Sequence, residues 1–133
     1  GRGGKAYVER VKLIPVEAVK ILTENGALPV MAHPTYAVPE SSGDKTEALK
    51  ATLKDLRAAG LVGMEVYYGD YSAEQVEWLA GIARDLALVP CGGSDYHAAG
   101  NPGEPEPGTV GPPMETVEAL RALKKQRAST AHS

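Results

Sequence analysis

Residues 28–34, LPVMAHP, place an apolar run directly before a histidine and a proline, and residues 87–97, ALVPCGGSDYH, place a second apolar run before a carboxylate and an imidazole. Each run has the length of a buried strand. In α/β folds, functional side chains collect at the carboxyl ends of strands. We therefore predict that His33, Asp95 and His97 face the same edge of a sheet.

Helical patterns alternate with these apolar runs along the chain. Pro15 suits the first turn of a helix. Asp44 and Ser72 are each followed three residues later by a glutamate or a glutamine, which is the signature of a capping box. The predicted strands span residues 28–32, 62–67 and 87–91. A last helix is predicted over about 114–126. The helical stripes predict these inward-facing residues: Ala18, Val19 and Leu22; Leu49, Leu53 and Leu56; Val76, Leu79, Ala83 and Leu86; and Val117, Leu120 and Leu123.

The resulting order, α-β-α-β-α-β-loop-α, predicts an α/β fold with right-handed crossovers and a parallel sheet. A complete (β/α) barrel takes roughly 200 residues or more, whereas this chain has 133. Three βα units therefore predict part of a barrel. Residues 99–113, rich in proline and glycine, are expected to form a long loop, and residues 128–133 a frayed tail. The basic residues of the last helix suit a helix C-terminus.

Composition narrows the class of protein. A hydrophobic content of 43% and a charged content of 23% are ordinary for a soluble domain. No apolar run approaches the roughly 20 residues that span a bilayer, so we expect no membrane partner. A net charge of −3 gives no bulk reason to bind nucleic acid, although a local positive groove for a nucleotide stays open. The single cysteine, Cys91, indicates the cytoplasm and is expected to act as a small hydrophobe.

Asp95 and His97 are the strongest candidate metal ligands. In an extended segment, residues two apart point the same way, so both side chains can face one ion. Carboxylate oxygen and imidazole nitrogen suit zinc, manganese or iron. The alternative is that Asp95 caps a turn, His97 is solvated and His33 is structural. The convergence of all three at strand ends favours the metal site.

Glu65 is an acidic residue inside the second apolar strand. A buried carboxylate needs a partner or a cation, but strand alternation can equally place Glu65 on the polar side of the strand end. Tyr67 and Tyr68 follow and favour core or rim packing, with a pocket lining as the alternative.

These segments together resemble the second half of a PHP domain, the polymerase and histidinol phosphatase family of metal-dependent phosphoesterases. The resemblance rests on Ala32-His33-Pro34, on Gly63-Met64-Glu65-Val66-Tyr67 and on Gly93-Ser94-Asp95-Tyr96-His97, and it extends from about Gly4 to Leu123. The opening Gly4-Lys5-Ala6-Tyr7-Val8 and Pro15-Val16-Glu17-Ala18-Val19 resemble the subgroup that dephosphorylates nucleoside 3′,5′-bisphosphates or trims RNA 5′ ends.

The resemblance implies a distorted (β/α)7 barrel, of which residues 1–127 would be the C-terminal portion, and metal-assisted hydrolysis of a phosphate ester. It implies that His33, Asp95 and His97 are catalytic metal ligands, and that Tyr7, Arg10 and Glu65 lie near the substrate. The divalent cluster is incomplete, because the H-x-H pair and the further ligands of the family's N-terminal half are not in this sequence. The isolated chain is thus expected to be poorly active, to self-associate, or to need a missing N-terminal half. A non-catalytic remnant, serving as a regulatory or assembly module, is the alternative.

Overall fold

A computed structural model describes residues 13–97, 103 and 105–130 of the chain. Its helices are α1 (Pro15–Glu24), α2 (Lys45–Ala58), α3 (Ala73–Asp85) and α4 (Met114–Thr130), and its strands are β1 (Val30–Met31), β2 (Gly63–Tyr68) and β3 (Val89–Gly93). The predicted order of elements is confirmed. A short 3-10 turn over Pro34–Ala37, which the sequence did not predict, follows β1.

The three strands form one parallel sheet in the order β1-β2-β3, which confirms the predicted α/β class with a parallel sheet. Val30 lies opposite Gly63, and Gly63 lies opposite Val89, so the amino ends of the strands are in register. An irregularity in the β2–β3 pairing falls between Glu65 and Tyr67. The carboxyl ends of all three strands therefore meet at one edge of the sheet.

Several predicted boundaries were wrong. β1 is two residues long, where the sequence predicted residues 28–32. β3 is displaced towards its carboxyl end and includes Gly92 and Gly93, because Ala87 adopts a positive φ of 49° and turns the chain before the strand begins. α4 continues to Thr130, so residues 128–130 are helical and not part of a frayed tail.

The core lies between the sheet and the helices α2 and α3. The predicted stripe of α2 is confirmed, since Leu49, Leu53 and Leu56 are all buried. In α3, Leu79, Ala83 and Leu86 are buried as predicted, and Val76 packs at the margin. Met64 and Val66 of β2 are fully buried against these helices. Because strand side chains alternate, Glu65, which lies between them, points to the opposite face of the sheet.

In the helices α1 and α4, some residues that were predicted to face inward are exposed. Leu22 of α1 is 46% exposed and Val117 of α4 is 38% exposed, although both were predicted to face inward. In α4 the buried residue is Thr116, whose hydroxyl donates to the carbonyl of Pro90 at 2.8 Å. A polar residue is buried there because β3 presents a carbonyl in need of a donor, and hydrophobic periodicity carries no signal for such a partner.

The basic end of α4 contacts loops far away in sequence. Arg127 donates to the carbonyls of Ala27 and Gly60 at 2.6 and 3.1 Å, and Lys124 donates to the carbonyl of Gly26 at 2.5 Å. These residues thus join α4 to the amino ends of β1 and β2, beyond the helix-terminus role that the sequence suggested. Within the part of the chain that the structure describes, no helix is long and apolar enough to cross a membrane.

Candidate active site at the carboxyl ends of the strands

His33, Glu65 and Asp95 come together although they belong to three different βα units. His33 follows β1 by two residues and takes a left-handed backbone with φ of 47°, Glu65 lies within β2, and Asp95 follows β3 with a left-handed φ of 55°. Left-handed φ is uncommon outside glycine but is enriched in aspartate and histidine. At both strand ends the backbone therefore turns sharply and brings a polar side chain over the sheet edge.

The Glu65 carboxylate holds His33 at two points. Its Oε2 accepts a hydrogen bond from the His33 backbone N–H at 2.8 Å and lies 3.4 Å from His33 Nδ1. The Glu65 side chain is 12% exposed, and the partner that such a buried carboxylate needs is His33 at the end of the neighbouring strand segment. The side chain of Glu65 thus lies on the site face of β2 and holds His33, while its predicted position near a substrate stays a prediction.

The second ring nitrogen of His33 faces Asp95. The distance from His33 Nε2 to Asp95 Oδ2 is 3.5 Å. Two ligands that each lie about 2.1 Å from one tetrahedral zinc are about 3.4 Å apart. The pair therefore has the separation of two ligands of a single ion, and Glu65 sits behind the imidazole, where metal-binding histidines commonly meet a carboxylate.

His97 does not join this pair. Its Nδ1 lies 2.5 Å from the backbone carbonyl of Asp95 and 4.0 Å from Asp95 Oδ1, and its side chain is 68% exposed. The prediction that Asp95 and His97 point the same way assumed an extended segment, and the left-handed turn at Asp95 breaks that alternation. Across residues 13–97, 103 and 105–130, no group of three His, Cys, Asp or Glu residues is placed to hold a metal ion. The described residues thus fit two ligands of an ion, and the assignment of His97 stays a prediction.

Aromatic rings surround His33. Its imidazole stacks on Tyr36 with ring centroids 5.5 Å apart, and the edge of Tyr68 meets it at the same distance. Tyr68 in turn packs edge-to-face against Tyr71 at 5.1 Å. Tyr68 thus forms the rim of the site, while Tyr67 packs against the core. Burial is the main cause that raises the pKa of Tyr71.

Sequence reasoning missed Tyr36, Tyr71 and Asp70. The Tyr68 hydroxyl donates to Asp70 Oδ2 at 3.0 Å, and this hydrogen bond is the main cause that raises the pKa of Tyr68 to about 12. Asp70 follows β2 by two residues, so the strand-end rule that selected His33 and Asp95 would also have selected Asp70. Tyr36 is placed by the 3-10 turn over Pro34–Ala37, which the sequence analysis did not predict.

The remaining candidates behave differently. Burial raises the pKa of the Cys91 thiol, and its Sγ lies 3.5 Å from the carbonyl of Val89, so Cys91 packs as a protonated thiol beside the site. Tyr7 and Arg10 lie outside the described residues, as does His132.

Similar proteins were found by sequence and by structure. No protein-family model matches the chain. A phosphoribosyl 1,2-cyclic phosphate 1,2-diphosphodiesterase from Eggerthella lenta is 36% identical over 81 residues, which cover 61% of this chain and 27% of that protein. The chain thus spans about a quarter of the length of this curated relative.

Two solved structures share the fold. One, assigned as a metal-dependent phosphoesterase from Bifidobacterium adolescentis, gives a TM-score of 0.63 at 28% identity and covers 90% of this chain and 40% of that one. An amidohydrolase from Chromobacterium violaceum, solved with bound sulfate and no metal, gives a TM-score of 0.62 at 28% identity over 90% of this chain and 42% of that one. The three-stranded unit is thus similar to part of larger hydrolases.

Proposed function

We propose that this chain is part of a metal-dependent phosphoesterase of the PHP type and supplies one portion of its barrel and of its metal site. The observation that carries the proposal is the His33–Asp95 pair, 3.5 Å apart at the carboxyl ends of two strands and backed by Glu65. Similarity to a phosphodiesterase and to a metal-dependent phosphoesterase supports it. The chain's coverage of 40% of the latter protein supports a partial barrel.

The residues of the chain have separate roles in this proposal. His33 Nε2 and an Asp95 oxygen would bind a divalent manganese, zinc or iron ion, with His97 as a third ligand after its exposed ring turns. Glu65 fixes the tautomer of His33 by accepting at the Nδ1 side, which leaves Nε2 with its lone pair outward. A bound divalent ion supplies Lewis acidity and a water of lowered pKa for attack on phosphorus.

The substrate of the proposed enzyme is a phosphate ester, either a nucleotide, an RNA 5′ end or another small phosphorylated compound, hydrolysed in the cytoplasm. Tyr7 and Arg10 are proposed to approach its phosphate. The proposal of a nucleoside bisphosphate or an RNA 5′ end as substrate rests on the resemblance of short motifs. The relative from Eggerthella lenta is instead named for a ribose phosphate. Both possibilities place phosphate on a ribose.

A non-catalytic module is the second candidate. It is favoured by the finding that no three ligand-type residues in the described ranges are placed to hold an ion. Because a metal site with few ligands has low affinity, the two candidates differ first in metal binding and then in hydrolysis.

The experiment combines calorimetric titration with manganese and zinc and hydrolysis of bis(p-nitrophenyl) phosphate. We expect one weak site and low turnover, both lost in Asp95→Asn and His33→Asn, since asparagine tolerates the left-handed backbone at both positions. Asp55→Asn, on the exposed surface of α2, is the control of equal charge change. Absence of both binding and turnover would favour the non-catalytic module. Strong turnover that Asp95→Asn abolishes would contradict the partial site while keeping the phosphoesterase.

A further inference from the structure

A cavity of about 470 Å³ opens at the amino ends of the strands, at the edge of the sheet opposite to His33 and Asp95. Its lining comes from the carboxyl-terminal halves of α2 and α4 and from the segments that lead into β2 and β3. The strand β2 has six residues, and a strand rises about 3.3 Å per residue, so about 17 Å separate the two edges. The cavity is thus remote from the candidate active site.

The side chains that line this cavity make it positively charged. Lys54, Arg57 and Arg127 line it, and none of the described lining residues is aspartate or glutamate. Lys54 and Arg57 lie three residues apart and therefore on one face of α2. Neither side chain has a hydrogen bond or an ion pair within the described part of the chain. Both cations are therefore available to an anionic ligand.

The ends of the neighbouring helices do not account for all of this charge. A basic residue in the last turn of a helix complements a partial charge of about −0.5 at the carboxyl end. The helices α2, α3 and α4 all end near this edge of the sheet, so their ends together offset about half of the three positive charges. A positive excess remains, and it favours an anion in the cavity.

The guanidinium of Arg127 is held in place before a ligand binds. Its Nη1 donates to the carbonyl of Ala27 at 2.6 Å and its Nη2 donates to the carbonyl of Gly60 at 3.1 Å. Ordering a long side chain on binding carries an entropic cost, which is reduced when the side chain is already fixed. One wall of the cavity is therefore preorganised.

The rest of the lining is apolar. Leu61, Val62 and Leu123 contribute aliphatic side chains, and Ala58 and Ala87 add methyl groups. Cavities that hold small organic molecules span roughly 300–1,000 Å³ and combine an apolar lining with a few polar groups that fix orientation. A hydrated inorganic anion would leave the apolar lining unused, because the gain from apolar burial requires an apolar partner. The lining thus fits an anionic group attached to an apolar body.

We propose that this cavity, which we call the amino-end cavity, binds a small organic anion. The phosphate or carboxylate group of the ligand lies between Lys54, Arg57 and Arg127. Its apolar body packs on Leu61 and Leu123. The inference goes beyond the proposed function, because no proposed metal ligand lines the amino-end cavity and binding there requires no metal at the opposite edge.

Binding is tested on the full chain, without added metal, by amide chemical shifts in two-dimensional NMR. The probe is phenylphosphonate, whose phosphorus–carbon bond a phosphoesterase does not hydrolyse. Benzoate carries a carboxylate in place of the phosphonate, and benzyl alcohol is the neutral match. We expect millimolar binding of the anions, weakened by salt, with shifts centred on Gly60, Val62 and Ala87. The tighter of the two anions identifies the preferred anionic group.

Loss of one charge-assisted hydrogen bond predicts binding about tenfold weaker for Arg57→Gln and for benzyl alcohol. Arg84→Gln is the matched control, because Arg84 holds in the last turn of α3 the position that Arg57 holds in α2, but it does not line the cavity. We expect this control to bind phenylphosphonate as the parent chain does. The amide spectrum of each variant without ligand shows that it is folded.

Four results would overturn the proposal. Equal weakening by Arg57→Gln and Arg84→Gln would show that only the total charge matters. Equal binding of benzyl alcohol and phenylphosphonate would show that the cavity does not select anions, and equal binding of inorganic phosphate would remove the role of the apolar body. Shifts centred on His33 and Tyr68 would place the anion at the opposite edge of the sheet.

Discussion

At the residue scale, His33 combines an unusual backbone conformation with the central side chain of the candidate site. Its left-handed backbone carries an energetic cost of roughly 1–2 kcal/mol for a residue with a Cβ. That cost is offset because the same turn lets the His33 N–H donate to Glu65 and the His33 carbonyl accept from the Tyr36 N–H at 3.0 Å. The strained residue is thus the one whose imidazole must project from the sheet edge, a common association of strain with function.

Tyr68 gives a test at the same scale. Its pKa is raised to about 12, chiefly by the hydrogen bond to Asp70. The folded pKa lies above the unfolded value of about 10, so the stabilising contribution is complete below about pH 10 and is lost as the pH rises towards 12. We expect Asp70→Asn to lower the pH midpoint at which Tyr68 titrates. The ¹³Cζ chemical shift of labelled tyrosine, recorded as a function of pH, measures this midpoint.

The comparison variant for this titration is Asp55→Asn, which should leave the Tyr68 midpoint unchanged. A midpoint near 10 in the parent chain would show that the Tyr68–Asp70 hydrogen bond does not form in solution.

At the scale of elements, the close contact between the backbones of β2 and β3 requires glycine at Gly63 and, most strictly, at Gly92. A Cβ at Gly92 would overlap the carbonyl oxygen of Tyr67, whereas a Cβ at the neighbouring Gly93 would meet nothing within 4 Å. Close approach of two backbones is a main reason for glycine within a strand. Because this approach follows the irregular pairing after Glu65, it helps to set where Tyr68 and Asp95 lie relative to each other.

Substitution at Gly92 and Gly93 separates close approach from general flexibility. We expect Gly92→Ala to lower the free energy of unfolding by about 1–3 kcal/mol, because overpacking forces a backbone shift. Gly93→Ala should change it by no more than about 0.5 kcal/mol. Urea denaturation of both variants measures the difference, and equal losses would argue against the described pairing of β2 with β3.

At the scale of the whole molecule, exposed apolar side chains occur on α1, just before it and on the edge strand β1, and we refer to these residues as the apolar margin. Ile14, Ile21 and Leu22 recur at helical spacing on or next to α1 and are each more than two-fifths exposed, and Val30 of the edge strand β1 is 39% exposed. Leu13 is also 53% exposed. Exposed apolar faces beside an open strand edge are typical of surfaces that another chain segment or subunit covers.

We therefore expect the isolated chain to associate at micromolar to millimolar concentration. The double variant Ile21→Lys and Leu22→Glu should shift it towards monomer in sedimentation velocity, because charge on the margin opposes its burial. Met114→Glu, which changes an exposed apolar residue of α4, is the control. A parent chain that stays monomeric across this range would contradict the expectation.

The sequence alone determined the alternation of helices and strands, because each element carries its own local signal. Hydrophobic period, Asp44 and Ser72 as N-caps, and glycine at helix ends are short-range features. The stripes of α2 and α3 were predicted correctly since these helices pack on the sheet in the usual way. Leu22 and Val117 were predicted wrongly, because the apolar character of a residue does not determine whether another element packs over it.

Part of the candidate site could likewise be predicted from the sequence, and part could not. Strand-end positions predicted that His33 and Asp95 would lie close together, because parallel strands bring their carboxyl ends to one edge. Only the tertiary structure decided that Glu65 supports His33, that Tyr68 meets Asp70, and that His97 turns away from the His33–Asp95 pair. The first depends on a contact between residues 32 positions apart, the second on the course of the chain after β2, and the third on the left-handed turn at Asp95. Local sequence specifies elements through short-range energetics, whereas the side-chain geometry of a site is fixed only once distant strands are paired.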